Sequence, residues 1–289
     1  MSRDEIANKT VGPFCTNGLS LDTPIYRIHR QRFLPDLFAG KLFLPVTHRW
    51  DDPYENLISW CAYEVIGEDK KIEQTFLGGG NRFPVFGQCW STVLESDALW
   101  RIYSGVDKNR ASDASFSDHE GVKLRTTARM LVNALSKGMG DGSADKCFVG
   151  AVNYMDESEL QTYVVNAVGT YREKAFGETT GHADALLLKR SAFAHEHEVR
   201  LLYVDADRKY VGKEFIEVPI DVNAVIEEII LDPRVRAGGG GEEKRTEWLK
   251  ANGFKNKIDA SNLYLRTMFQ IPLYTQDEMK QVKDAREQG

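Results

Sequence analysis

The stretch Glu196-His197-Glu198-Val199-Arg200-Leu201-Leu202-Tyr203 constrains the fold more than any other in the chain. From Glu198 onward it alternates as a strand does. Val199, Leu201 and Tyr203 fall on one face, and Glu198, Arg200 and Leu202 on the other. Glu196 and Glu198 are two apart, so a strand through both sends both carboxylates to one side, ~7 Å apart at ~3.3 Å rise per residue. Two acids beside an apolar run are costly unless they face a cleft or a cationic partner. The plainer alternative is an exposed edge strand whose charges block pairing with another chain.

The remaining composition sets the class. At 289 residues the chain is long enough for one large domain or two small ones, with a sizeable core. Hydrophobic residues at 42% and charged residues at 28% are ordinary globular values, so disorder is not indicated. The net charge of -6 argues against a broad nucleic-acid footprint, while leaving room for a local basic cleft. Cys15, Cys61, Cys89 and Cys147 are widely spaced with no C-x-x-C pair, which reads as reduced thiols in a cytoplasmic protein. No apolar run approaches ~18 residues, so no membrane partner is expected. The N-terminus lacks the apolar core of a signal peptide.

Taken in order, residues 1–24 are polar and broken by glycine and proline, and read as an N-terminal arm. Residues 25–275 read as a single catalytic domain, and 276–289 as a charged C-terminal tail. Ile25 to Arg30 alternates and predicts a first strand carrying Arg27. Gln31 to Ala39 predicts a short helix closed by Gly40, followed by a strand at Leu42 to Leu44. Asp52 is placed to cap a helix from Pro53 that would carry Leu57, Ile58, Cys61 and Val65 on one face. Gly78-Gly79-Gly80-Asn81 is a loop without the context of a dinucleotide fingerprint. Phe86 to Thr92 predicts a strand with Phe86, Gln88, Trp90 and Thr92 on one face and Cys89 and Ser91 on the other. Glu95-Ser96 opens a helix with Leu99 and Trp100. Gly121 to Arg125 is a strand, and Thr126 or Thr127 caps a helix that Gly138 stops. Cys147 to Tyr154 is strand-like, and Glu157 to Phe176 is amphipathic and helical. Strands are further expected at Phe215 to Val218, Ile226 to Leu231 and Leu263 to Leu273, with a helix from Glu242 to Ala251 after a glycine loop. Strands and helices mix without strict β-α alternation, so the fold class is α+β and not a doubly wound sheet.

Phe193-x-x-Glu196-x-Glu198 resembles the acceptor-recognition turn and catalytic glutamate of NAD-dependent ADP-ribosyltransferases of the Arg-Ser-Glu type. Arg27 on an early strand and Ser91 on a middle strand complete the family's chain order. The wider pattern resembles a large bacterial family of uncharacterised proteins. Its pieces are Tyr26-Arg27, Asp52-Pro53-x-Glu55, Cys89-Trp90-Ser91, Glu95-Ser96-x-x-Leu99-Trp100, Glu196-x-Glu198-Val199-Arg200-Leu201 and Ile229-Ile230-Leu231-Asp232-Pro233. The sequence departs from the transferases in reading Trp-Ser-Thr at the middle motif, and in the histidines flanking Glu196.

The resemblance implies an α+β fold of split, mixed or antiparallel sheets with flanking helices, and NAD as substrate. It implies that Glu198 stabilises the ribosyl cation, that Glu196 and Phe193 read the acceptor, and that Ser91 orients Glu198 or the nicotinamide ribose. Arg27, Tyr26, Trp90, Thr92 and Tyr103 would bind NAD, with Tyr103 or Trp100 stacking on nicotinamide. The acceptor would be a macromolecule, protein or nucleic acid. The protein would be a toxin or phage-defence effector, with an antitoxin as a further partner. Three other readings stand beside it. One is an NAD glycohydrolase on the same scaffold. Another is a metal-dependent nuclease built on His195, Glu196, His197 and Glu198, although no third ligand has suitable spacing and no metal is expected. The third is a non-catalytic binding protein of a defence operon.

Overall fold

The computed structural model describes residues 14–16, 18–50, 52–56, 62–66, 72–76, 83–106, 116–166, 178–237, 241–266, 268–271 and 273–287. The stretch that alternates from Glu198 becomes a central strand of an eight-stranded sheet. In spatial order the sheet runs β1 (Phe14–Thr16), β8 (Cys147–Ala151), β11 (Glu198–Val204), β6 (Val85–Ser91), β2 (Pro24–Arg30), β7 (Gly121–Thr127), β13 (Glu228–Leu231) and β14 (Lys257–Ala260). The outermost pairs, β1 with β8 and β13 with β14, are parallel, and all pairings between them are antiparallel. Among the described residues there are also three two-stranded pairs: β9 (Asn153–Met155) with β10 (Leu188–Arg190), β3 (Lys41–Pro45) with β12 (Phe215–Pro219), and β4 (Ala62–Ile66) with β5 (Ile72–Phe76). The architecture is α+β.

β11 is buried on both faces, which overturns the edge-strand alternative. Val199, Leu201 and Tyr203 pack into the main core beneath the helix Ala128–Met139. Leu202 and Val204 pack with Ala183, Leu186 and Leu187 beside the helix Thr179–Ala185. Each such side chain contributes roughly 1.5–3 kcal/mol. Glu198 and Arg200 share the face of Leu202, so the strand carries two charges into buried surroundings.

Local chemistry explains most of the elements. Ser96 accepts the Leu99 amide and caps the helix Asp97–Tyr103. Thr127 does the same for Ala128–Met139. Gly40 lies at φ 82° and closes the helix Leu34–Phe38. Several expectations need correction. Pro53–Asn56 is a short 3-10 turn and Ala62–Ile66 is a strand, so no single helix runs to Val65. Residues 57–61 lie outside the described residues, as do the expected glycine loops at 78–81 and 238–240 and the expected continuation of a helix beyond residue 166. Cys147 to Tyr154 breaks at Val152, whose amide binds the Glu198 carbonyl and turns the chain from β8 into β9. Phe14–Thr16 lies within the expected arm yet joins the sheet. The last described strand is Lys257–Ala260; Leu265, Met268, Phe269, Ile271 and Leu273 are exposed and pair with nothing in a sheet.

Gly138 does not stop its helix, which continues to Met139. It is glycine because the helix lies against β12: a Cβ there would meet Val218 Cγ1 at 2.4 Å and the Pro219 carbonyl at 2.5 Å. Gly138→Ala would gain about 1 kcal/mol of helix propensity on its own, but the clash with backbone outweighs it. The expected result is a lower urea midpoint. A raised midpoint would show that the helix and β12 can move apart.

Candidate active site

The cavity forms where the sheet comes apart. β2 pairs with β7 along its whole length but touches the β6 ladder at a single position, Tyr26 opposite Ser91. Ser91 is in turn opposite Glu198 on β11. Tyr26, Ser91 and Glu198 therefore stand side by side on three neighbouring strands, with Arg27 one residue further along β2. Beyond this point β6 and β2 diverge, and β6 finds other partners. Arg27 Nη1 donates to the Cys89 carbonyl. Val46 bridges to Phe86, and Gln88 Nε2 donates to the Phe43 carbonyl at 2.8 Å.

The opening is a cavity of about 520 Å³ whose lining includes Tyr26, Arg27, Ser91, Tyr103, Phe193, Glu196 and Glu198. That is the size of a small-molecule or cofactor site. Arg27 Nε is buried and has no hydrogen-bond partner among the described residues. Burial pulls the Arg27 pKa below its ordinary value. Burial, reinforced by Arg27, pushes His29 down to about 3, so that imidazole is neutral at physiological pH.

The Glu198 carboxylate is held on both oxygens. Arg200 Nε donates to Oε1 at 3.1 Å, and Arg200 Nη2 and Lys189 Nζ donate to Oε2 at 3.1 and 3.0 Å. Burial favours the neutral acid, but Arg200 and Lys189 prevail and hold Glu198 below the usual glutamate pKa. The Glu198 amide donates to the Tyr154 hydroxyl at 2.7 Å. Arg200 is itself fully buried, binds Glu55 and the Leu186 carbonyl, and lies 4.4 Å over the Trp50 ring. For Glu55 burial wins, and its pKa is raised despite Arg200 and Lys189.

Glu196 reaches the same cavity by a different route from the one expected. It ends the 3-10 turn Ser191–Glu196, and His197 enters the left-handed region at φ 43° before β11 begins. The two glutamates are thus not on one strand. They converge because Lys189 Nζ binds Glu196 Oε2 at 2.7 Å as well as Glu198. The Ser91 hydroxyl donates to the Glu196 carbonyl at 2.6 Å and accepts the Val93 amide at 3.0 Å, so it pins the turn. The turn is further anchored by the Thr92 amide on the His197 carbonyl at 3.1 Å. Phe193 lies beneath two cations, with Lys189 Nζ 4.7 Å and the Arg190 guanidinium 5.5 Å from its ring centre. Arg190 also stacks 4.6 Å over Tyr54 and makes a two-armed pair with buried Asp52.

The other expected cofactor residues divide. Tyr103 lines the cavity, and burial, with Glu196 adding to it, pushes its pKa up to about 12. Trp90 lines it too but belongs to the core, with its Nε1 bound to Gln88 Oε1 at 3.2 Å. Thr92 is exposed and outside the lining, because β6 ends at Ser91. Trp100 is buried behind the wall, under the Lys123 ammonium at 4.7 Å, and has no face free to stack on a ligand. His195 and His197 are exposed. Among the described residues no group of three or more His, Cys, Asp or Glu side chains is placed to hold a metal. Glu196 and Glu198 are instead neutralised by Lys189 and Arg200.

Sequence reasoning passed over Lys189, Arg200, Glu55, Arg190 and Tyr154. Asp52 and Glu55 belong to the Asp-Pro-x-Glu motif, which by itself does not connect them with Glu198. The signal for Arg200 was present, since alternation put it on the Glu198 face.

Three solved structures align with most of the chain. Thermus sp. 2.9 DarT in complex with NAD+ is 15% identical, with 84% of this chain and 96% of that chain covered and a TM-score of 0.34. The same protein in complex with ADP-ribosylated ssDNA is 14% identical, with 85% and 97% covered and a TM-score of 0.35. In complex with carba-NAD+ it is 16% identical, with 84% and 97% covered and a TM-score of 0.30. No family model matches the chain, and no curated protein is similar enough to match.

Proposed function

We propose that this chain is an NAD-dependent mono-ADP-ribosyltransferase acting on a macromolecular acceptor. The observation that carries the reading is the meeting of Arg27, Ser91 and Glu198 at the split in the sheet, around one cavity, with Glu198 buried yet anionic. In the reaction the nicotinamide–ribose C–N bond breaks and its electron pair leaves with nicotinamide. The ribose becomes an oxocarbenium-like cation, which a fixed carboxylate stabilises more than it stabilises the ground state. Glu198 supplies that carboxylate. Arg27 has an unused donor in Nε for a phosphate or ribose oxygen. Tyr103 supplies an aromatic wall. The acceptor nucleophile then bonds to the ribose carbon and passes its proton to Glu196. Ser91 serves by fixing the turn that carries Glu196. Such an activity turned on the cell's own macromolecules implies a toxin or defence effector restrained by an antitoxin.

The test is incubation with labelled NAD and cell lysate, followed by protease or nuclease digestion to locate the label. Glu196→Gln is expected to lose most macromolecular label while retaining NAD consumption, since water needs no positioned acceptor. NAD consumed by the unaltered protein without any label in macromolecules would replace transfer by hydrolysis. No consumption at all would remove the reading.

A further inference from the structure

One ammonium group reaches every carboxylate of the cluster. Lys189 Nζ lies 3.2 Å from Glu55 Oε1, 2.7 Å from Glu196 Oε2 and 3.0 Å from Glu198 Oε2, and it sits over the Phe193 ring. These carboxylates come from three separate segments: the turn Pro53–Asn56, the turn Ser191–Glu196 and β11. An ammonium has three donors that can diverge toward three acceptors, whereas a guanidinium spreads its donors in one plane. Lys189 lies on β10, whose partner β9 carries Tyr154, the acceptor of the Glu198 amide. The small β9–β10 sheet is therefore tied to the start of β11 by both side chains.

We propose that Lys189 is a positioning residue that couples the acceptor-side Glu196 to the ribose-side Glu198 and thereby ties transfer to NAD cleavage. This rests on the function proposed above. The ion pairs support it. Glu55, Glu196 and Glu198 share Lys189 and Arg200, and Lys189 binds all three. The ammonium faces those three carboxylates and the neutral hydroxyls of Tyr154 and Tyr103, while Glu198 is also faced by Arg200, the Cys89 thiol and Arg27. Burial opposes the charge on Lys189, but the carboxylates outweigh it and hold its pKa above the ordinary lysine value.

Without Lys189, Glu198 keeps Arg200 but loses its second cation. The acid limb of NAD turnover should then move to higher pH by roughly one unit. Glu196 loses its tether, so labelling of the acceptor should fall at least tenfold relative to NAD consumption. The experiment measures both quantities against pH for Lys189→Met and Lys189→Arg. Arginine keeps the charge and is expected to restore the acid limb, but its planar fork should leave transfer below that of the unaltered protein. An unmoved acid limb together with an unchanged ratio of label to NAD consumption in Lys189→Met would overturn the proposal. Should Lys189→Met not fold, the charge-balanced Lys189→Met/Glu196→Gln takes its place, and an unmoved limb counts against the proposal there too. Glu198→Gln, run beside them, separates the two ideas. If it retains full turnover the transferase reading fails, whereas an inactive Glu198→Gln beside a silent Lys189→Met removes only the role of Lys189.

Discussion

Glu198→Gln lowers NAD turnover by roughly a hundredfold or more and changes NAD binding little. The amide keeps the shape of the carboxylate, and its oxygen can still accept from Arg200, so the cavity persists. What is lost is the negative charge beside the ribose. A preorganised electrostatic interaction of this kind contributes roughly 3–4 kcal/mol to the barrier, because it strengthens only as charge develops. The effect is enlarged here because Lys189 and Arg200 stay in place with one carboxylate fewer to balance them. Single-turnover rates and an equilibrium titration with NAD, taken together, test this. A variant that binds and cleaves NAD at the original rate would place the chemistry elsewhere.

Arg200→Met destabilises the fold by about 3–5 kcal/mol, the usual cost of removing one partner of a buried ion pair. The guanidinium has no exposed surface and serves both oxygens of Glu198, Glu55 and the Leu186 carbonyl. Methionine fills much of the volume but leaves two buried carboxylates sharing Lys189. The pH dependence follows from the sign of the shift. Glu198 titrates below its unfolded value, so its pairing stabilises the fold above the ordinary carboxylate range and is lost as pH falls through the folded pKa. The gap between Arg200→Met and the unaltered protein should therefore be widest near neutrality and narrow in acid. Urea midpoints across that range measure it. A loss below about 1 kcal/mol at neutral pH would mean that the pair behaves as a solvated surface contact.

The resemblance to the Arg-Ser-Glu transferases points to Arg27, Ser91 and Glu198, and alternation, a local property of the backbone, puts each of them on a strand. The same rule put Arg200 on the Glu198 face. It failed at Glu196, since a single residue in the left-handed conformation, His197 at φ 43°, ends the period before the strand begins. Gly138 shows another limit: a glycine near a helix end reads as a stop, and only the approach of β12 reveals it as a spacer. The partners of the cluster were harder still. Arg200 meets Glu55 across 145 positions and Arg190 meets Asp52 across 138, and no local pattern links residues so far apart.

The sequence alone thus determined the α+β class, the strand that starts at Glu198 and the charged residues that must be compensated, because periodicity and the cost of burying charge act on near neighbours. The tertiary structure decided where β2 leaves β6, and therefore that a cavity opens beside Ser91. It also decided that Lys189 is shared by three carboxylates. Both depend on strand pairing between distant segments, where the register sets which side chains meet.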